Sequence, residues 1–148
     1  MQNNSIHSHD IDLPCTCFRL RSAARQITQR YERALKPSGL KITQYSLLAN
    51  LARSGPMSVT ALALKLATDR TTLTRNIIPL ERDGLIVVDD GPNARTRAIT
   101  LTIKGRRAFE HAIPLWKTAQ RAMKQALGDA ELTHLHELLF RATNMGRP

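Results

Sequence analysis

Arg70, Thr71, Thr72, Thr74 and Arg75 crowd the start of one segment, RTTLTR, and their side chains are of the types that read base edges. Arginine clamps guanine through two hydrogen bonds or neutralises a phosphate, and threonine hydrogen-bonds a base or lays its methyl group against thymine. Further on, Arg95 and Arg97 stand two apart in a turn-rich stretch, DDGPNARTR. In an extended segment that spacing sends both to the same side, where they can enter a narrow minor groove or meet its phosphates. The bland alternative for these two is an ordinary exposed loop rich in charge. Lys104 follows as a further phosphate candidate.

To act on a duplex these side chains need a rigid mount, and residues 57–105 supply one. Ser58 is placed to cap a short helix with Leu62 and Leu66 at i and i+4, and Asp69 to cap a second helix opening RTTLTR. Two short helices across a tight turn make a helix-turn-helix, whose second helix enters a major groove by its N-terminal residues. Pro79 lies inside that helix and cannot donate a backbone hydrogen bond to Arg75. A kink is therefore expected, with Leu80 and Leu85 beyond it anchoring the helix to the core. Gly84 ends the helix. The period then changes: IVVD, a DGPN turn and RAITLTI, with Ile99, Leu101 and Ile103 alternating, read as two strands and a loop, a β-wing.

Upstream, CTCFRLRSAARQITQRYERALKPSGL reads as a helix with an apolar stripe at Leu20, Ala24, Ile27, Tyr31 and Leu35, closed by Pro37 and Gly39. Arg19, Arg21, Arg25, Arg30 and Arg33 lie off that stripe as a solvated face. Thr43 is expected to cap a core helix carrying Leu47, Leu48 and Leu51. From Lys104 the pattern is helical to the end, with Phe109, Ile113, Trp116, Met123 and Leu127 on one stripe and Pro114 as a bend. Asp129 is expected to cap the last helix, which carries Leu132, Leu135, Leu139 and Ala142. A small winged module cannot cover all these apolar faces. A second copy of the chain can; the alternative is that the terminal helices pack on each other as an intrachain core. The fold class expected is mainly α with a small β-wing. One domain spans residues 1–148, with a mobile tail at 1–12, a helical dimerisation region at 13–39 and 104–148, and a winged helix-turn-helix at 40–103.

Composition narrows the partners. With 42% hydrophobic and 23% charged residues among 148, the chain is no disordered tail and should fold. Its 22 Lys and Arg against 12 Asp and Glu give a net charge of +10, which draws polyanions and makes binding salt-dependent. Basic surfaces also suit ribosomes or acidic membranes, so charge alone selects no partner. No apolar run approaches the ~18 residues of a spanning helix, and MQNNSIHSHDID lacks a secretory core, so no membrane and a cytoplasmic address are expected. Cys15 and Cys17 provide no disulfide framework. No glycine-rich phosphate loop, carboxylate pair or spaced triad stands out, so neither an enzyme nor a cofactor is expected.

From about Leu13 to Arg141 the chain resembles MarR-type transcriptional regulators. KLATDRTTLTRNIIPLERDGLI, the wing and LTIKG are similar to the family's Asp-Arg-Ser/Thr recognition-helix start, its Leu-Glu-x-x-Gly-Leu exit and its Leu-Thr-x-x-Gly close. In the wing, where the family usually carries an acidic residue two positions before its arginine, this chain has Asn93 before Arg95. An Asp would brace the arginine electrostatically, whereas Asn offers a neutral hydrogen bond, which puts the wing's rigidity in question. The resemblance implies an obligate homodimer on double-stranded DNA, at a pseudo-palindromic operator with half-sites roughly 34–36 Å apart. It implies a sequence-specific repressor, released by a small ligand or an oxidant. A small aromatic or anionic effector would sit between the dimer helices and the winged module. The rival from another class is a non-specific basic nucleic-acid-associated protein, with a steep salt slope and no sequence preference.

CTCFRLRSAARQITQRY is also similar to the opening of organic-hydroperoxide-sensing members of that family. Their reactive cysteine is followed by Phe and, fourteen residues after the cysteine, by a Tyr that hydrogen-bonds it; Cys17, Phe18 and Tyr31 fit. The family's second cysteine-contacting tyrosine falls at Ile42, which has nothing to donate. This resemblance implies a peroxide-sensing repressor acting through Cys17, eased toward oxidation by a helix N-terminus and nearby arginines. Cys15 of a partner chain would resolve it, because a bridge within Cys-x-Cys is strained. The alternative is a structural cysteine buried at the dimer interface. His7, His9, Cys15 and Cys17 are metal-capable, but Cys-x-Cys is shorter than the usual zinc spacing, and no metal is expected.

Overall fold

The computed structural model describes residues 15–93 and 95–146; the predicted tail at 1–12, with His7 and His9, lies outside them. In chain order the elements are α1 (Thr16–Leu35), a 3-10 turn at Lys36–Ser38, α2 (Ile42–Ser54), β1 (Met57–Ser58), α3 (Val59–Lys65) and α4 (Arg70–Arg82). There follow β2 (Ile86–Val88), β3 (Ala98–Leu101), α5 (Ile103–Leu127) and α6 (Asp129–Thr143). The fold is mainly α with a small antiparallel sheet, ordered β1-β3-β2.

Local chemistry places several boundaries. Ser58 Oγ accepts from the Ala61 N–H at 3.0 Å and starts α3, and Asp69 Oδ1 accepts from the Thr72 N–H at 2.7 Å and starts α4. Two expected caps fall elsewhere. α2 begins after Lys41 rather than at Thr43, because the Gln44 side chain accepts from the Lys41 N–H and Glu32 of α1 accepts from the Ile42 N–H, both at 3.0 Å. Asp129 is the first residue of α6, and Gly128, at φ 86°, is its cap; the Asp129 carboxylate instead meets Lys124 at 3.2 Å. At Pro79, where a kink is expected, α4 stays helical as far as Arg82, and the Asp83 N–H bonds back to the Pro79 carbonyl at 3.0 Å. α5 likewise continues through Pro114.

The wing differs from a plain two-stranded hairpin. Ile86, Val87 and Val88 pair with Leu101, Thr100 and Ile99, and Met57–Ser58 add a third strand on the other edge of β3. Ile103, read as a strand residue, is the first residue of α5 and lies exposed, because Thr102 takes the cap and accepts from the Gly105 N–H at 2.9 Å.

Leu47, Leu48, Leu51, Leu62, Leu73, Leu80, Ile86 and Ile99 form one buried core under the helix-turn-helix and sheet. Leu35 of α1 reaches it, and Tyr45 joins α2 to α5 through Phe109, at 5.3 Å between ring centroids, and Trp116, at 5.8 Å. Away from this core the apolar stripes fade outward. On α1, Tyr31 and Ile27 are half-buried while Ala24 and Leu20 are exposed; on α6, Leu132 is buried while Leu138, Leu139 and Phe140 are exposed.

Candidate nucleic-acid interface

α4 buries one side and offers another. Leu73, Ile77 and Leu80 face the core, which turns Thr71, Arg75, Ile78 and Arg82, at i, i+4, i+7 and i+11, to the opposite side as one stripe. All four are exposed. Arg70 and Thr74 flank the stripe on the side of the wing, where both line a cleft that also includes Gly91, Pro92 and Arg97.

The five residues expected to read DNA divide by what else they hold. Thr72 donates its hydroxyl to Asp69 Oδ2 at 2.8 Å and its N–H to Oδ1, so it is fixed in the cap at the helix start. These bonds, the Thr72 backbone bond foremost, hold the Asp69 carboxyl below its ordinary range. Thr74 donates its hydroxyl to the Arg70 carbonyl at 2.7 Å, which leaves its methyl group for outside contact. Arg70, Thr71 and Arg75 remain exposed. Asn76, from the next position round the helix, receives the Thr43 hydroxyl at 3.1 Å and ties α4 to α2.

At the tip of the wing, Asn93 organises a compact turn instead of an extended segment. Its Oδ1 accepts the Arg95 N–H at 3.0 Å, and its carbonyl accepts the N–H groups of Thr96 and Arg97 at 3.1 and 3.0 Å. Neutral bonds to the backbone thus do the bracing, and they form an Asx turn. Gly91 is needed beside it, since a Cβ there would stand 2.7 Å from the Arg97 nitrogen. The turn sends the two arginines to different places, against the expectation of a shared side. Arg95 lines a groove with Thr68, Asp69 and Arg70, and Arg97 lines the cleft between α4 and the wing. Among the described residues no ion pair involves Arg70, Arg75, Arg95 or Arg97, so their charges are uncommitted. Lys104 is differently placed: its ammonium donates to the Asp83 carbonyl at 2.7 Å, at the C-terminal end of α4 and away from Arg70.

The sensor candidates do not meet within one chain. Cys15 and Cys17 are exposed at the start of α1. Tyr31 lies fourteen residues further along the same helix, roughly 21 Å at 1.5 Å per residue. Its hydroxyl donates to Gln120 of α5, and burial pushes its pKa up. A Cys17–Tyr31 bond requires two chains.

Sequence reading missed Ile78 and the bracing role of Asn93. The first was legible as i+7 from Thr71 on the exposed stripe; the second depends on a turn geometry that neighbouring residue types do not announce.

A helix-turn-helix with an uncommitted cationic recognition helix and a braced, arginine-bearing wing defines a DNA-binding regulator of winged-helix type. Residues 40–95 match the MarR family. The transcriptional activatory protein BadR of Rhodopseudomonas palustris is 35% identical over 138 residues, covering 88% of this chain and 78% of that protein. The transcriptional regulator MosR of M. tuberculosis shares 40% identity and a TM-score of 0.78, over 88% of this chain and 96% of MosR. MosR in complex with DNA gives 41% identity and the same TM-score of 0.78, over 90% and 99%. The chain belongs to the MarR family of transcriptional regulators. Among the described residues no helix is long and apolar enough to cross a membrane.

Proposed function

We propose that the chain is a homodimeric, sequence-specific repressor that sets α4 of each copy into successive major grooves of a pseudo-palindromic operator. The observation that carries this reading is the exposed side of α4 beside the wing, where Arg70, Arg75, Arg95 and Arg97 have no ion-pair partner among the described residues. Thr71 and Arg75 read bases, while Arg70, Arg95 and Arg97 hold phosphates or a minor groove. Thr72 serves by fixing the helix start, and Lys104 by closing the helix end.

Dimerisation rests on the apolar surface left uncovered by one chain. Phe18 is 64% exposed on α1 and Phe140 71% on α6, with Leu20, Leu127, Leu138 and Leu139 also exposed. These belong to α1, α5 and α6, leaving the winged helix-turn-helix to the duplex. A small aromatic or anionic effector would occupy the cleft of about 520 Å³ between α2 and α5, lined by Phe109 and Trp116, with Arg53 and Arg106 offering positive charge beside Glu110. Filling it would change how the winged module sits on α5 and so alter the spacing of two α4 helices.

The test is selection of bound sequences from a random duplex pool, then titration of the wild type and of Arg75→Ala and Arg95→Ala. An inverted repeat with weakened variants is the expected result. Equal affinity for random duplex would favour a non-specific basic protein and refute the proposal. A promoter fusion reads the sign: loss of the protein raises output if it represses, and lowers it if it works as BadR is described. A second reading, peroxide sensing through Cys17, is favoured by the exposure of both thiols on α1. Peroxide should then weaken DNA binding of the wild type but not of Cys17→Ser.

A further inference from the structure

We propose that Ile78 reads the 5-methyl group of a thymine in each half-site, a reading that rests on α4 lying in a major groove. In α4, Leu73, Ile77 and Leu80 are at most 7% exposed, whereas Ile78 is 59% exposed. It stands on the stripe of Thr71 and Arg75, seven residues or about 10 Å along the axis from Thr71, close to three base-pair steps.

Toward the wing Ile78 shares its cleft with apolar Val88 and Pro92 as well as with Arg70, Asn93 and Arg97. Thr74 has committed its hydroxyl to the Arg70 carbonyl, and Val88 and Pro92 complete the wall of the cleft that Ile78 lines. Glu81 lines the same cleft three residues on from Ile78. Arg82, the next cation on the stripe, is bound to Asp83 at 3.0 Å. The Ile78 side chain has nothing to offer the hydrogen-bonding groups of base edges, and the one apolar group a major groove presents is the thymine methyl. Ile78 thus adds selection for thymine to whatever Thr71 and Arg75 read nearer the start of α4.

The experiment uses the full-length protein and an operator selected from a random pool, with each thymine replaced in turn by deoxyuridine, which removes only the methyl group. Wild type should lose about fourfold in affinity per half-site at one thymine, the effect of one buried methylene-sized group. Ile78→Ala should bind the thymine duplex more weakly and bind both duplexes alike, and Ile78→Val should fall between. Should Ile78→Ala lose binding altogether, wild type and Ile78→Val carry the comparison. Indifference of the wild type to deoxyuridine at every position overturns the proposal, as does a full thymine preference retained by the variants. Failure of the selection to yield any preferred sequence overturns the regulator reading as well, and is distinct from a preferred sequence whose methyl groups do not matter.

Discussion

Replacing Gly105 by alanine sets two effects of opposite sign against each other. In an open helix the change adds about 1 kcal/mol of stability, because glycine is the poorer helix former. Within α5 a Cβ on residue 105 would stand 1.9 Å from the Leu85 carbonyl oxygen and 2.8 Å from Leu101 Cδ1. A carbon–oxygen contact needs about 3.3 Å, so backbone must give by roughly 1.4 Å. That oxygen is not free to move. It already accepts the Thr102 N–H at 3.1 Å and the Thr102 hydroxyl at 3.0 Å. Overpacking a fitted interior costs about 1–3 kcal/mol, and a backbone obstacle places this case at the upper end, with a lost hydrogen bond adding about 1 kcal/mol. The net expectation is a destabilisation of about 2–3 kcal/mol, or a fall of about 4–12 °C in Tm for a chain of this size. Circular dichroism melts of wild type and Gly105→Ala at one protein concentration read it directly. An unchanged or raised Tm would refute the reasoning, because it would mean that α5 and the Leu85 turn are not held in contact.

Asp69→Ala should lower stability at neutral pH and flatten its decline in acid. The folded state holds this carboxyl below its ordinary range, so its contribution is complete above that range and is lost as pH falls through the lowered value; urea midpoints across pH measure it. Arg75→Ala should cost about 1–3 kcal/mol of operator affinity and relax preference at one position, whereas Arg97→Ala should weaken all duplexes alike and reduce the salt slope by about one. Competition titrations on specific and random DNA at several salt concentrations separate the two. Lys104→Met removes the closure of α4 at the Asp83 carbonyl and should cost about 0.5–1.5 kcal/mol of stability with the salt slope unchanged; a slope reduced by one would restore its phosphate role. Asn93→Ala should loosen the wing and weaken binding several-fold, while Asn93→Asp keeps the acceptor for the Arg95 N–H and should preserve the turn; equal affinity of Asn93→Ala and wild type counts against the brace.

What the sequence disclosed was whatever is settled within a few residues. Ser58 and Asp69 act on N–H groups three positions ahead, and the apolar period around Leu62, Leu73 and Leu80 marks the buried side of each helix. Where a partner comes from afar the local signal misleads. Thr43 has the right chemistry for a cap, yet Glu32 on another helix satisfies Ile42 and starts α2 earlier. The two-residue strand β1 carries no period, and only β3 beside it makes it a strand. Pro79 removes one donor, but the buried side chains on both sides, Ile77 and Leu80, hold the helix through it. On the candidate surface, residue types marked Arg70, Thr71, Thr72, Thr74 and Arg75 alike, and the hydroxyl commitments of Thr72 and Thr74 to Asp69 and the Arg70 carbonyl depend on helix geometry that residue type does not announce.

α5 has 25 residues in one unbroken helix, about 37 Å from Ile103 to Leu127. A rod of that length magnifies small angles. Pivoting it by about 5° at its far end swings the near end, and the reading head clamped to it at Leu85, by about 3 Å, nearly the rise of one base pair. In the dimer proposed above, a guest beside Trp116 would need to unfold or unlatch nothing to throw two such heads out of step with a duplex.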